Sequence, residues 1–274
     1  MTSKRHLSKK IPQHKYAINA ALLGDYSTLA WNNLGLWINT TRYPQACENL
    51  AKYLATSVKL TAQDKLLDLG CGQGASLQLW QDHFHVANLA AVELQTACVE
   101  KIKKQSLPAL KQIHQGSFLA LQPQQLSAPF DTVLCIDALY HHSLADFLNV
   151  VQPLLAINGR IGFHYLMLNE AWKTASAWQK IQNRYLLKCA DVALDQLLDR
   201  QSLMDMMTQA GFHQVQIENL SQPVLAGFAN YVDQHLAKDT LRGIDGFKIR
   251  MTAKLCQRLA QEGLIDYVQI TAQR

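Results

Sequence analysis

The sequence predicts an α/β fold: a doubly wound, seven-stranded and mostly parallel sheet with helical lid elements. Three observations carry that expectation. Leu66, Leu67 and Leu69 form a short apolar run that suits a strand buried on both faces, and Gly70, Gly72 and Gly74 follow it in a tight turn. From residue 65 to 168, strand-like and helix-like patterns alternate, as they do where crossover helices join parallel strands. Two further strand patterns lie near the C-terminus, with helical stretches between them.

Taken in order, the chain opens on a basic stretch, with Lys4, Arg5, Lys9, Lys10 and Lys15 and no acid in residues 1–15. That stretch accounts for the net charge of +5, because the other 21 basic residues balance the 21 acidic ones. Such a tail is expected to be mobile and solvating, although its charge also suits nucleic acid or anionic lipid. Residues 16–60 read as an N-terminal helical cover. Its Tyr26, Trp31 and Trp37 fit either core packing or a lid over a substrate cavity. Pro44, Ala46, Leu50, Ala51 and Leu54 give residues 44–58 helical spacing.

The core, residues 61–274, starts with a strand over 65–70 and a helix over 75–83. A second strand spans 87–93, and the helix over 95–105 turns Cys98, Val99 and Ile102 inward. Residues 112–115 give a short third strand and 130–137 a strong fourth. A helix over 144–155 leads through Asn158-Gly159 to a fifth strand, 161–168. A helical lid insertion is expected near 169–200, where Trp172, Trp178 and Tyr185 fall. A helix over 203–210 stops at Gly211, a common C-terminal stop, and residues 212–220 alternate as a half-exposed strand. Helices near 224–236 and 247–259 precede the closing strand, 265–271.

The glycine turn lets a ligand lie against bare backbone, and the helix opening at Ala75 aims its amide-rich N-terminus at the same crevice. Two cofactor classes use that device. A dinucleotide site prefers Gly-x-Gly-x-x-Gly, whereas the spacing here is Gly70-x-Gly72-x-Gly74, with Asp68 two residues before it. This Asp-x-Gly-x-Gly-x-Gly run resembles the first motif of class I S-adenosylmethionine-dependent methyltransferases. Their Rossmann-like sheet ends in a strand antiparallel to its neighbours. In order of motifs the chain is similar to small-molecule members, rebeccamycin-type sugar O-methyltransferases among them, over roughly residues 25–272.

The resemblance implies S-adenosyl-L-methionine as cofactor, held by Asp68, Gly70, Cys71, Gly72 and Gly74. Glu93 ends the second strand, where an acid accepts from both ribose hydroxyls, with Leu94 and Gln95 beside it. Ser117 replaces the acid that often faces the adenine amino group, and Phe118 is placed to stack on the base. Asp137-Ala138-Leu139-Tyr140-His141 resembles the family's acidic-x-Leu-x-His ending, with Asp137 and Ala138 at the cofactor. A neutral imidazole suits proton removal from a hydroxyl nucleophile, so His141 and then His142 are the catalytic candidates. The same position also suits capping the next helix and walling the cofactor. Tyr26, Trp31, Trp37, Tyr140, His141 and Tyr165 are expected at the acceptor. Tyr165, beside His164, stands where the sugar enzymes often have an acid, which leaves a nitrogen or carbon nucleophile open.

Other classes lose ground. The Asn/Asp-Pro-Pro-Tyr run of nucleobase amino-methyltransferases is missing, which argues against a nucleic-acid substrate. Asp191, Asp195 and Asp199, four apart, fit a solvated helix face better than a metal cluster. The six cysteines are scattered without zinc spacing, as suits free buried thiols, and no metal is expected. No stretch approaches the ~18 apolar residues of a membrane span. The basic start lacks a following apolar segment, so a cytoplasmic protein is expected. The composition, 49% hydrophobic and 17% charged, is that of an ordinary globular protein. The expected activity is methyl transfer to a small-molecule metabolite, at oxygen by preference, otherwise at nitrogen or carbon of a small or lipid-like acceptor. A nicotinamide-dependent oxidoreductase and a non-catalytic cofactor-binding module are the alternatives. Nothing in the sequence sets the oligomeric state.

Overall fold

The apolar runs assemble into one seven-stranded sheet in the computed structural model, which describes residues 19–236 and 241–274. The strands are β1 Lys65–Leu69, β2 Asn88–Glu93, β3 Leu110–Gln115, β4 Phe130–Cys135, β5 Leu155–Leu168, β6 His213–Asn219 and β7 Ile265–Gln273. Their order is β3-β2-β1-β4-β5-β7-β6. The first five strands pair in parallel, and β7 runs antiparallel to both β5 and β6. The helices are α1 Tyr43–Ser57, α2 Ala75–Asp82, α3 Thr96–Lys103, α4 Leu144–Val151, α5 Ala171–Thr174, α6 Ala177–Cys189, α7 Arg200–Gln209, α8 Gly227–His235 and α9 Gly243–Glu262.

Strand alternation divides the interior into two layers. Leu66, Leu89 and Leu134 pack on one face with Leu77 and Trp80 of α2 and Ile102 of α3. Leu67, Val92 and Val133 pack on the other with Phe147 of α4 and the β5 and β7 side chains. Apolar side chains on both faces of the inner strands are what the continuous runs required.

Some expectations change. β5 begins six residues earlier than the pattern predicts, because Asn158 (φ 63°) and Gly159 form a bulge instead of a separating turn. Pairing with β4 jumps there from Phe130↔Leu155 to Thr132↔Arg160. Arg160 then anchors the bulged strand to Asp64 at 2.7 Å. Among the described residues, the N-terminal cover is helical only at Ala20–Leu23 and in α1. Between them the chain is irregular, held by Asp25, which accepts from the Trp31 amide at 2.7 Å. Gly35 (φ 78°) lets this segment press on α1, where a Cβ would lie 2.8 Å from that of Ala46. Asp191, Asp195 and Asp199 share no helix face: Asp191 is left-handed (φ 58°), Asp195 sits in a short 3₁₀ turn and Asp199 caps α7. The basic tail, residues 1–15, and the first residues of the cover lie outside the described residues. Among those described, no helix is long and apolar enough to cross a membrane.

Candidate active site

The C-terminal ends of β1, β2 and β4 meet at one end of the sheet, where a cavity of about 770 Å³ opens. Past β1 the chain turns through Gly70 (φ 75°) and Gly72 (φ 56°), a conformation that side chains with a Cβ rarely adopt. A Cβ on Gly70 would stand 3.0 Å from that of Ala138. Both glycines line the cavity, so bare backbone faces it. The Gly72 amide donates to Glu93 Oε2 at 2.9 Å and the Gln95 amide to Oε1 at 2.8 Å. One buried carboxylate therefore ties the loop to the end of β2, and each oxygen keeps a lone pair for a diol. Asp68, at the base, accepts from Trp80 Nε1 at 2.7 Å and pins α2 to β1. Leu94, Ser117 and Phe118 extend this wall. Ser117 accepts from the Leu119 amide at 3.3 Å, and the Phe118 ring meets His142 edge-on at 5.3 Å.

The opposite wall comes from distant parts of the chain. Asp137 sits just past β4 in a left-handed conformation (φ 51°) and accepts from the Leu34 amide at 2.7 Å and from the Tyr267 hydroxyl. A single carboxylate thus joins the cover, the sheet end and β7. Tyr140, His141 and His142 follow, with His141 Nδ1 3.2 Å from the Asp191 carbonyl oxygen. Phe247, Met251 and Leu255 stand four apart on α9 and line the cavity beside the C-terminal end of α6.

Burial sets the electrostatics. It pushes the Asp68 and Asp137 carboxyls up to about 6, against opposing hydrogen bonds from Ser76 and Trp80 and from Tyr267 and Leu34 respectively. Burial also raises Glu93, against the amides of Gln95 and Gly72. Tyr140 and Tyr267 are held well above the usual phenol range, first by burial and then by Asp137, so both remain neutral. The Cys71 thiol is raised by burial and is a poor nucleophile. Three carboxylates around one cavity suit a cationic ligand.

The structure gathers most of the expected positions at this cavity: Asp68, Gly70, Cys71, Gly72, Glu93, Leu94, Gln95, Ser117, Phe118, Asp137, Ala138, Tyr140, His141, His142 and Trp31. Four others lie elsewhere. Gly74 (φ 94°) caps α2, and a Cβ there would meet Ile102 at 2.7 Å, so it serves helix packing. Tyr26 is 84% exposed and off the cavity wall. Trp37 stacks on Tyr231 at 4.5 Å and donates to the Leu34 carbonyl at 2.8 Å. Tyr165 is buried and donates to the Gln196 carbonyl at 2.7 Å. Because β5 runs on to Leu168, alternation turns Leu166 to the cavity instead. The sequence reading missed Asn32, Ser76, Tyr267 and the α9 stripe. The stripe was visible as an amphipathic helix, but nothing local told which face meets the strand ends.

A family model described as a methyltransferase domain matches residues 38–217. No curated protein matches the chain. Among solved structures, geranyl diphosphate C-methyltransferase from Streptomyces coelicolor A3(2), complexed with geranyl-S-thiolodiphosphate and S-adenosyl-L-homocysteine, is similar at 15% identity and TM-score 0.71. The match covers 93% of this chain and 92% of that one. A cyclopropane synthase from Mycobacterium tuberculosis is similar at 16% identity and TM-score 0.72, covering 96% and 95%. At such identities the likeness shows the fold.

Proposed function

The chain belongs to the methyltransferase-domain family matched over residues 38–217, and from that premise we propose that it methylates a small, lipid-like acceptor at carbon. It is an S-adenosylmethionine-dependent enzyme of class I. The observation that carries the acceptor class is the apolar and aromatic lining of the cavity by Trp31, Tyr140, Leu166, Phe247, Leu255 and Tyr267. The cavity lies toward the upper part of the ~300–1,000 Å³ range of ligand sites, so it has room for a second molecule beside the cofactor.

The residues present fit S-adenosylmethionine. Bare backbone at Gly70 and Gly72 admits its adenosyl part, Glu93 stands ready for a ribose diol, and Asp68, Glu93 and Asp137 favour a positive charge. When bound, the cofactor supplies a methyl group activated on cationic sulfur. The chain itself has to align the acceptor and exclude water, and proximity supplies much of the rate. Leu34, latched to Asp137, closes one side, and α9 closes the other. The aromatic rings of Trp31, Tyr140 and Tyr267 line the cavity, and with the Asp137 carboxylate that accepts from Tyr267 they favour positive charge that develops on an alkene carbon under attack. The Streptomyces relative, which acts on geranyl diphosphate at carbon, agrees with this choice.

Transfer to oxygen, as in the sugar O-methyltransferases, is the second reading, favoured by His141 and His142 on the cavity wall. Calorimetric titration tests the cofactor: S-adenosylhomocysteine should bind and NADH should not, and the reverse would sink the reading. The acceptor is tested by supplying a labelled methyl donor with isoprenoid, acyl and phenolic compounds and locating the label by NMR. On the carbon reading, changing His141 and His142 together to Ala leaves turnover within about tenfold. A loss of ~10²–10⁴-fold on a phenolic acceptor selects the oxygen reading instead.

A further inference from the structure

Helix α6 carries its apolar stripe on the wrong side for a soluble helix. Trp178 (66% exposed), Ile181 (60%) and Tyr185 (69%) all face solvent. At ~100° per residue they fall within about 60° of one another on the helix surface. Asn183 and Leu187, on the opposite side, are the buried positions. The N-terminal end of α9 adds Ile244 (76%) and Phe247 (57%). Tyr185 and Phe247 also line the cavity, so both apolar patches meet at its mouth. Exposed apolar area on this scale, at the rim of a site, marks a contact surface.

Charge identifies the partner. Arg184 and Lys188 border the α6 stripe and Lys248 follows Phe247 on α9, and among the described residues none of the three has an ion-pair partner. Asp191 and Asp245 are the acids at the same mouth, and Asp245 accepts from Asn19 Nδ2 at 3.1 Å. Asn19 is the first described residue and itself lines the cavity. The chain before it carries Lys4, Arg5, Lys9, Lys10 and Lys15 without an acid through residue 15. Large apolar and aromatic side chains bordered by Lys and Arg are the composition of helices that lie in a membrane interface.

We propose that this rim docks on an anionic phospholipid surface, with Trp178, Ile181 and Ile244 dipping into the interface and Arg184, Lys188 and Lys248 meeting lipid phosphates. The docking rests on the exposed rim alone and stands whichever atom is methylated. It also gives a lipid-like acceptor a way into the cavity without crossing water. Flotation of the full chain with vesicles tests it. The protein should rise with vesicles containing phosphatidylglycerol, less with phosphatidylcholine alone, and less in salt that shortens the Debye length from ~10 Å at 0.1 M to ~3 Å at 1 M. The triple variant Trp178→Ser, Ile181→Ser, Ile244→Ser should lose about tenfold or more of the bound fraction while keeping wild-type affinity for S-adenosylhomocysteine. Quenching of tryptophan fluorescence by brominated lipid, lost in Trp178→Phe, should report the same contact without disturbing the fold. A wild-type chain that stays down with anionic vesicles overturns the proposal, as does a triple variant that floats equally well. So does a wild-type dimer that the triple variant dissociates without any vesicle binding, which would give the rim to a second copy. Brominated-lipid quenching that persists in Trp178→Phe also counts against it.

Discussion

The two walls of the cavity are built in opposite ways. The cofactor wall draws mainly on Asp68, Gly70, Gly72, Ser76, Glu93 and Gln95, between residues 68 and 95, with Ser117 and Phe118 extending it, and is fastened by backbone amides and buried carboxylates. The acceptor wall draws on residues in the stretches 31–34, 137–142, 185–192 and 245–259 and on Leu166 and Tyr267, and is mostly side-chain surface. A wall of backbone and short sequence separation is specific for one ligand and legible from a motif. A wall of side chains from six places can change its occupant without disturbing the fold.

The largest expected effect lies under the cofactor wall. Trp80 is fully buried and donates to Asp68, so it supports the glycine loop from below. Trp80→Ala should cost ~3–5 kcal/mol of stability, because it opens a large void and strips a partner from a buried carboxylate. Urea unfolding measures it. A loss under ~1 kcal/mol would mean that the loop is held some other way.

Separation of the walls is the next test. Glu93→Ala leaves the Gly72 and Gln95 amides without their acceptor and removes the partner for a ribose diol. Affinity for S-adenosylhomocysteine should fall about 30–100-fold, equivalent to ~2–3 kcal/mol. Leu255→Trp, which fills space at the acceptor wall, should leave that affinity within about threefold while lowering turnover. Equal losses of affinity in the two variants would show that the walls are one unit.

That contrast also explains what the sequence could disclose. Strand positions and the glycine loop were legible because alternation, apolar runs and φ > 0 turns are local properties, visible in Leu66 to Gly74. Asp137 was legible as the end of a strand, but its double role was not. Its bonds reach Leu34 and Tyr267, 103 and 130 residues away. Tyr165 misled because it lies three residues before the strand's end at Leu168, so a side chain expected at the strand end is buried inside the sheet. Trp37 misled because an aromatic ring near a site serves core packing as readily as binding, and Tyr231 supplied the partner.

Asp137, where the two walls join, should show itself in pH dependence. Its carboxyl is pushed up to about 6 in the fold, while the unfolded chain titrates near ~4. Between those values the folded protein holds a proton that the unfolded chain has released, so this group favours folding most below ~pH 4 and loses that contribution as pH rises through about 6. Asp68 is raised likewise and contributes with the same sign. In Asp137→Asn one of the two contributions is gone. Wild-type stability relative to that variant should therefore decline by roughly 1–3 kcal/mol from about pH 4 to about pH 7. Urea midpoints across that range read it, and a constant difference would remove the junction from the electrostatic account.

The smallest effect tests the boundary of the acceptor wall. Tyr165 donates its hydroxyl to the Gln196 carbonyl and turns away from the cavity. Tyr165→Phe keeps the ring and loses one buried hydrogen bond, so stability should drop by about 1 kcal/mol. Turnover and the Michaelis constant for any acceptor should stay as in the wild type, because the side chain that β5 presents to the ligand is Leu166. Leu166→Ala should reverse that pattern, raising the Michaelis constant for an apolar acceptor by removing contact area. If Tyr165→Phe changes acceptor kinetics and Leu166→Ala does not, the acceptor lies on the other side of β5, and the wall has been assigned to the wrong face of the strand.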